Sequence, residues 1–211
     1  MNKNKKSYLY KNKYLLNSKN QKNIKLKKEL INVPLIRQYS NYDCGAACVQ
    51  SILGYFNFNV RLEDIIKTFK MNKNNCINCY EIPPFLKFFD IDSEIKKDFT
   101  IKELENCLDK NQPIMVALQS NKPSNVKWKD CYNQGHFVII IGYDKDYYYC
   151  MDPSTLGYRT FIDKKEFEKR WHDKDYYNEV VHNFAIIILN KRKKEFSSNT
   201  IYKEEIFFKL D

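Results

Sequence analysis

The sequence predicts an α+β domain in which helices come first and a mostly antiparallel sheet follows. Three observations carry this reading. Apolar residues recur at helical spacing near residues 44–56 and 62–69, and a capping box opens another helix at Thr100. From Pro113 onward, short β-branched runs alternate with turns. Sequential order, helices then strands, is the pattern of an α+β chain and not of alternating βαβ units.

The helical half is read as follows. Val33-Pro34-Leu35-Ile36 is a short extended lead-in, because Pro34 disfavours helix before it. Ala46, Ala47, Val49, Ile52, Leu53 and Phe56 then mark a buried helix that ends near Gly54. Asp43 stands at its N-cap position and Cys44 in its first turn. Leu62 to Phe69 is a second, amphipathic helix. A third covers residues 80–89 and begins around Pro83-Pro84. Ile91 to Ile95 reads as a strand, and Thr100-Ile-Lys-Glu103 opens a helix that runs to about Asp109.

The strand-rich half starts with the continuous apolar run Pro113 to Leu118, a buried strand. Residues 120–134 form a polar loop that holds Trp128, Asp130 and Cys131. Gly135-His136-Phe137-Val138-Ile139-Ile140-Ile141-Gly142-Tyr143 is a strand with a histidine at its mouth. Asp144-Lys145-Asp146 is a turn, and Tyr147 to Asp152 runs back. A turn centred near residue 144 puts His136 across from Asp152, within one residue. Tyr158 to Ile162 is a strand, Asp163 to Arg170 a capped helix, Trp171-His172-Asp173 a corner, and Val181 to Leu189 a last apolar strand.

The chain has 211 residues, enough for one domain with a real core. Its net charge of +10 suggests a nucleic-acid partner, but residues 1–30 hold ten Lys and one Glu. The other 181 residues carry 26 basic and 25 acidic groups, leaving no charge excess with which to grip phosphate. The organisation is therefore a Lys/Asn-rich tail over 1–30, a domain over 31–190 and a charged tail over 191–211. The first tail reads as solvated and disordered, and any contact with nucleic acid or an acidic surface would run through it.

No signal-peptide core and no transmembrane span is present, and seven cysteines leave at least one unpaired. Reduced thiols in a cytoplasmic compartment are the expectation. Cys76-x-x-Cys79 has no second pair at matching spacing, so no metal and no cofactor is expected.

A thiol in the first turn of a helix feels the positive end of the helix dipole, which favours the nucleophilic thiolate. From this stretch alone, nucleophile and core filler are both open for Cys44. A nucleophile needs a base, and His136 supplies an imidazole. The imidazole needs a group to fix its tautomer, and Asp152 supplies a carboxylate. Gln38, six residues before Cys44, could join the Cys44 backbone N–H as a two-donor oxyanion hole. His172 and His182 are weaker bases, Cys48 is read as core, and Trp128 and Asp130 are read as lining the cleft.

With these residues in hand, the chain resembles the C39-like branch of the papain-like cysteine peptidases over about residues 33–190. The resemblance rests on Gln38 with Asp43-Cys44-Gly45-Ala46-Ala47-Cys48, on Gly135-His136-Phe137-Val138 with Gly142-Tyr143-Asp144, and on Met151-Asp152-Pro153-Ser154. Glu166-Phe167 with Arg170-Trp171-His172-Asp173 is similar to a bacterial-type subgroup. The resemblance implies a papain-like fold, with the nucleophile helix packed on the sheet, Cys44 as nucleophile, His136 as base, Asp152 as orienting acid and Gln38 in the oxyanion hole. In better-known members this domain precedes a membrane transporter and removes a double-glycine leader from exported peptides. The expectation is a thiol hydrolase that cleaves a peptide or related amide bond through an acyl-thioester. The rivals are acyl transfer by the same residues and a non-catalytic peptide-binding module.

Overall fold

The computed structural model describes residues 21–24, 29–155, 158–190 and 205–210. Its helices are α1 (Cys44–Tyr55), α2 (Leu62–Thr68), α3 (Ile82–Lys87), α4 (Ile101–Asp109) and α5 (Lys164–Arg170). The strands are β1 (Gln21–Ile24), β2 (Ser93–Lys96), β3 (Ile114–Gln119), β4 (Gly135–Tyr143), β5 (Tyr147–Met151), β6 (Arg159–Asp163), β7 (His172–Lys174), β8 (Val180–His182), β9 (Ala185–Ile188) and β10 (Glu205–Lys209). Eight of them form one sheet in the order β1-β10-β6-β5-β4-β3-β9-β2, and β7 and β8 form a separate hairpin. Every pairing in the large sheet is antiparallel except β10 with β6. The predicted α+β class with a mostly antiparallel sheet is therefore the class found.

Local chemistry explains the helix starts. Thr100 Oγ1 accepts from the Glu103 backbone N–H at 3.2 Å, and the Glu103 carboxylate accepts from the Thr100 N–H at 2.9 Å, closing the capping box. Asp163 accepts from the N–H groups of Lys165 and Glu166 at 2.9 and 3.2 Å, so α5 starts where a cap residue stands. All six residues of β3 are buried, which is why the run from Ile114 reads as apolar on both faces. Helix α1 packs on β4, and its Ala46, Ala47, Cys48, Val49, Ile52 and Leu53 are buried in the core.

Three readings are corrected. The apolar stretch 181–189 is two strands, because Asn183 takes a left-handed φ of 49° and breaks it. The first part, β8, pairs with β7, so the Trp171-His172-Asp173 corner is the start of a hairpin in which His172 opposes His182. The sheet also extends beyond residues 31–190. Strands β1 and β10 fall within the stretches read as tails, and the Leu210 N–H donates to the Phe161 carbonyl at 2.9 Å. The rest of the stretch up to residue 28 lies outside the described residues.

The third correction concerns register. Ile139 opposes Met151 and Ile140 opposes Cys150, but Gly142 opposes Tyr149. The bulge between Ile140 and Gly142 absorbs one residue of β4. Continued in this register, Val138 faces Asp152, and His136 is offset by two residues. An offset of two keeps both side chains on one face. His136 therefore reaches Asp152 diagonally instead of directly.

Candidate active site

Cys44 opens α1 and is half-buried, whereas Cys48, one turn on, has no exposed surface. The Cys48 thiol is held against the Phe137 carbonyl at 3.4 Å, and burial pushes its pKa well above the ordinary thiol value. Gly45 lets the helix end come close to its neighbours: a Cβ there would stand 3.2 Å from Phe137 Cδ2 and clash with Ile77 Cγ2. Phe137 directly follows His136, so this close approach sets the thiol beside the imidazole.

His136 is buried, and its Nε2 lies 2.8 Å from Asp152 Oδ1. The Cys44 side chain lies close enough to the ring to act on its charge. Burial works against the imidazolium, but the Asp152 carboxylate and the Cys44 sulfur outweigh it and raise the His136 pKa above its ordinary value. Asp152 is also buried. Burial pushes its carboxyl pKa up, and the bonds from His136 and Ser154 more than reverse this, so it lies below the usual carboxylate value. Ser154 donates to Asp152 Oδ1 from both its N–H and its Oγ at 2.9 Å. Asp152-Pro153-Ser154 is thus a local side-chain turn that fixes the carboxylate before the imidazole meets it.

Asp43 does something its position does not announce. It precedes Cys44 at the N-cap, yet its carboxylate makes no cap bond and turns back to the preceding loop. It accepts from the Tyr39 and Ser40 N–H groups at 3.1 and 2.9 Å. The helix N–H groups that it leaves alone include that of Cys44, since the first turn has no intrahelical acceptors.

The same loop carries Gln38. Its backbone N–H donates to the Pro153 carbonyl at 3.0 Å, which ties it to the Asp152 turn. Its Nε2 donates to the Ser40 carbonyl at 2.7 Å, while its Oε1 is buried without a partner. An Asp directly before a helix-opening cysteine is the sequence signal that could have pointed to this brace.

A second carboxylate stands by. A Cβ on Gly135 would clash with both Asp173 carboxylate oxygens, so Asp173 lies directly against the residue before His136. Gln119 Nε2 and the Lys174 N–H each donate to Asp173 Oδ1 at 2.8 Å. Burial raises the Asp173 pKa to about 6, although these two bonds and nearby His136 oppose the rise. A carboxyl raised in the folded state stabilises the fold below its unfolded value of about 3.9 and loses that contribution as pH rises to about 6. Asp173→Asn keeps an acceptor for Gln119 and removes the buried charge. It is expected to raise the unfolding free energy from urea titration above pH 6, by on the order of 1 kcal/mol, and to leave it unchanged at pH 4.

His172 is buried and bonds through Nε2 to the Cys131 carbonyl at 3.0 Å, a structural role. Trp128 and Asp130 belong to one short 3₁₀ turn. Asp130 is exposed, and the cavity that Trp128 lines contains none of Gln38, Cys44, His136 or Asp152. Among the described residues, no cluster of three or more His, Cys, Asp or Glu is placed to hold a metal ion, and no helix is long and apolar enough to cross a membrane.

The Peptidase_C39 like family model matches residues 30–179, a stretch that runs from the lead-in before Gln38 through the β7 strand. The chain belongs to the peptidase C39-like family. Solved C39-like structures share its fold. One described as a C39-like peptidase from Bacillus anthracis superposes with a TM-score of 0.60 at 16% identity, covering 79% of this chain and 100% of that one. The peptidase domain of Streptococcus ComA, a bifunctional ABC transporter of a quorum-sensing pathway, gives 0.55 at 18% identity over 76% and 100%. A double-glycine-motif protease from an AMS/PCAT transporter, solved with its leader peptide, gives 0.51 at 15% identity over 78% and 97%. No curated protein sequence matches the chain.

Proposed function

We propose that this C39-like chain is a cysteine peptidase in which Cys44, His136 and Asp152 form the catalytic triad. The observation that carries the reading is the buried His136–Asp152 pair at 2.8 Å, with the helix-opening Cys44 near enough to act on the ring. In the first half-reaction the Cys44 thiolate attacks the carbonyl carbon of the scissile amide, and the electron pair moves onto the oxygen. The Cys44 N–H and the second N–H of the Gln38 amide hold that oxyanion. The raised imidazole carries the proton that the leaving amine takes as the C–N bond breaks, leaving an acyl-thioester. His136 then removes a proton from water, the hydroxide displaces the sulfur, and the carboxylic product leaves with the Cys44 thiolate and the protonated His136 ring restored. Asp152 holds the ring tautomer and stabilises its cation throughout. A peptide substrate accords with the leader peptide bound by the AMS/PCAT relative.

The test is alkylation of all seven cysteines, mapped by mass spectrometry across pH. Cys44 is expected to react first, ahead of the other six cysteines. In His136→Ala this lead is expected to vanish. An equal, slow reaction of Cys44 in both proteins would sink the proposal. The buried Cys48 and Cys150, both held as thiols by burial, serve as internal controls.

A further inference from the structure

A cavity of about 550 Å³ lies outside the triad and is formed where loop 122–129 meets the end of α5. Its wall contains Lys122, Lys127, Lys129 and Lys169 together with Trp128 and Val126, and no acidic residue lines it. Among the described residues, none of these four lysines is ion-paired with a carboxylate. This is a local excess, since the chain beyond residue 30 is nearly charge-balanced. Four ammonium groups that repel one another around a half-apolar hollow are best relieved by an anion.

The frame of the cavity is fixed. Ser120 closes the loop on the Gln134 carbonyl with its N–H at 2.8 Å. Arg170 donates from Nε to the Gln119 carbonyl and from Nη2 to the Ser120 carbonyl, both at 2.7 Å. The Arg170 guanidinium carbon stands 4.6 Å from the Trp128 ring centre, and Lys122 Nζ stands 5.5 Å from it. Gln134 is two residues before His136, so the cavity is braced to the strand that carries the proposed base.

The geometry points to an exosite for an acidic peptide segment, one rich in Asp and Glu, that lies outside the scissile bond of the substrate. It rests on the peptidase reading for the word substrate, although the binding itself does not. A phosphate group fits less well. It would want converging fork-like donors, and Arg170 has already spent Nε, Nη1 and Nη2 on carbonyls and on Glu166. What remains is spaced point charges beside an indole and a valine, which suits side-chain carboxylates carried on aliphatic stems. A volume of this size accommodates several such side chains.

Trp128 supplies the readout. The chain has two tryptophans, and Trp171 is 1% exposed with its indole N–H on the Phe184 carbonyl. A change in fluorescence on ligand addition therefore reports Trp128. Titrating the full chain with a hexaglutamate peptide is expected to give saturable, salt-sensitive quenching, with no response to a neutral hexamer. Lys127→Gln with Lys129→Gln and Lys169→Gln is expected to weaken binding roughly tenfold or more. Changing Lys3, Lys5, Lys6 and Lys11 of the basic N-terminal stretch to Gln is expected to leave the Trp128 signal intact.

No quenching in the wild type, or an undiminished response in the triple variant, overturns the exosite. Competition by inorganic phosphate at equal concentration overturns the peptide assignment. Failure of every peptide to be cleaved would instead count against the peptidase reading and leave the titration standing. If cleavage occurs, an acidic extension on the substrate is expected to lower KM in the wild type and not in the triple variant, with kcat unchanged.

Discussion

Asp152→Ala is expected to lower kcat/KM on a cleaved peptide by roughly 10³-fold, because it removes the group that fixes the imidazole tautomer and supports its cation. Asp152→Asn is expected to recover part of that loss. Its side-chain oxygen can still take the place of Oδ1, which receives His136 Nε2 at 2.8 Å and the Ser154 N–H at 2.9 Å. Only the charge goes. A purely structural aspartate would instead let the two variants differ in stability with no split in the pH profile.

The stability of the pair has its own pH signature. The depressed Asp152 carboxyl stabilises the fold above its unfolded value of about 3.9 and loses this as pH falls below it. The raised His136 stabilises the fold fully below about 6.5 and loses this as pH rises toward its folded value. The difference in unfolding free energy between wild type and Asp152→Ala is therefore expected to be greatest between about pH 4 and 6.5. Breaking a buried pair of this kind costs on the order of 3–5 kcal/mol. Urea titrations at pH 3, 5.5 and 9 check it: a flat difference across the three would refute the coupling.

Arg170→Ala is expected to be the most damaging change away from the catalytic line. The residue is 1% exposed, yet it carries a charge and donates to the carbonyls of Gln119, Ser120 and Leu210 and to the Glu166 carboxylate. Burial pulls its pKa down, and Glu166 opposes this. Its removal takes this donor from three main-chain carbonyls and leaves the Glu166 carboxylate only its Lys209 partner, at about 3–5 kcal/mol. For a chain of this size that is a drop in melting temperature of roughly 10 °C. Because Arg170 holds the end of β3 and underlies Trp128, the variant is also expected to lose the hexaglutamate response described above. Arg170→Lys is expected to recover little, since one ammonium cannot serve acceptors that a planar fork reaches in several directions. A melting temperature within 2 °C of wild type for the alanine variant would contradict this account of the α5–β3 joint.

How much of this was legible beforehand depended on the range of the interaction involved. The capping box at Thr100, the Asp163 cap and the buried run of β3 are each written in a few consecutive residues, and each appears where the sequence places it. The pairing of histidine and aspartate by one hairpin was legible for the same reason. Its register was not, because the bulge between Ile140 and Gly142 sits beside contacts from the lead-in segment: Ile31 donates to the Ile141 carbonyl at 2.8 Å, and Leu30 occupies the space above Gly142. Those partners are more than a hundred residues away in sequence.

The cysteine question divides in the same way. Cys44 and Cys48 lie four apart on a helix, hence on one face, and periodicity cannot separate them. The packing of α1 against β4 does so, leaving one thiol at the mouth beside His136 and the other under Phe137. Asp43 looked like a cap and became a brace for the Gln38 loop, because the acceptor it offers is satisfied by Tyr39 and Ser40. By itself, then, the sequence determined the fold class, the principal helices and strands, and the cysteine, histidine and aspartate that one local hairpin and one helix start could assemble. Tertiary structure alone decided the diagonal reach of His136, the approach of Asp173 to Gly135, the outer strands β1 and β10, and the lysine-lined cavity. Each of these joins segments distant in the chain, and only the packing of the whole core fixes such separations.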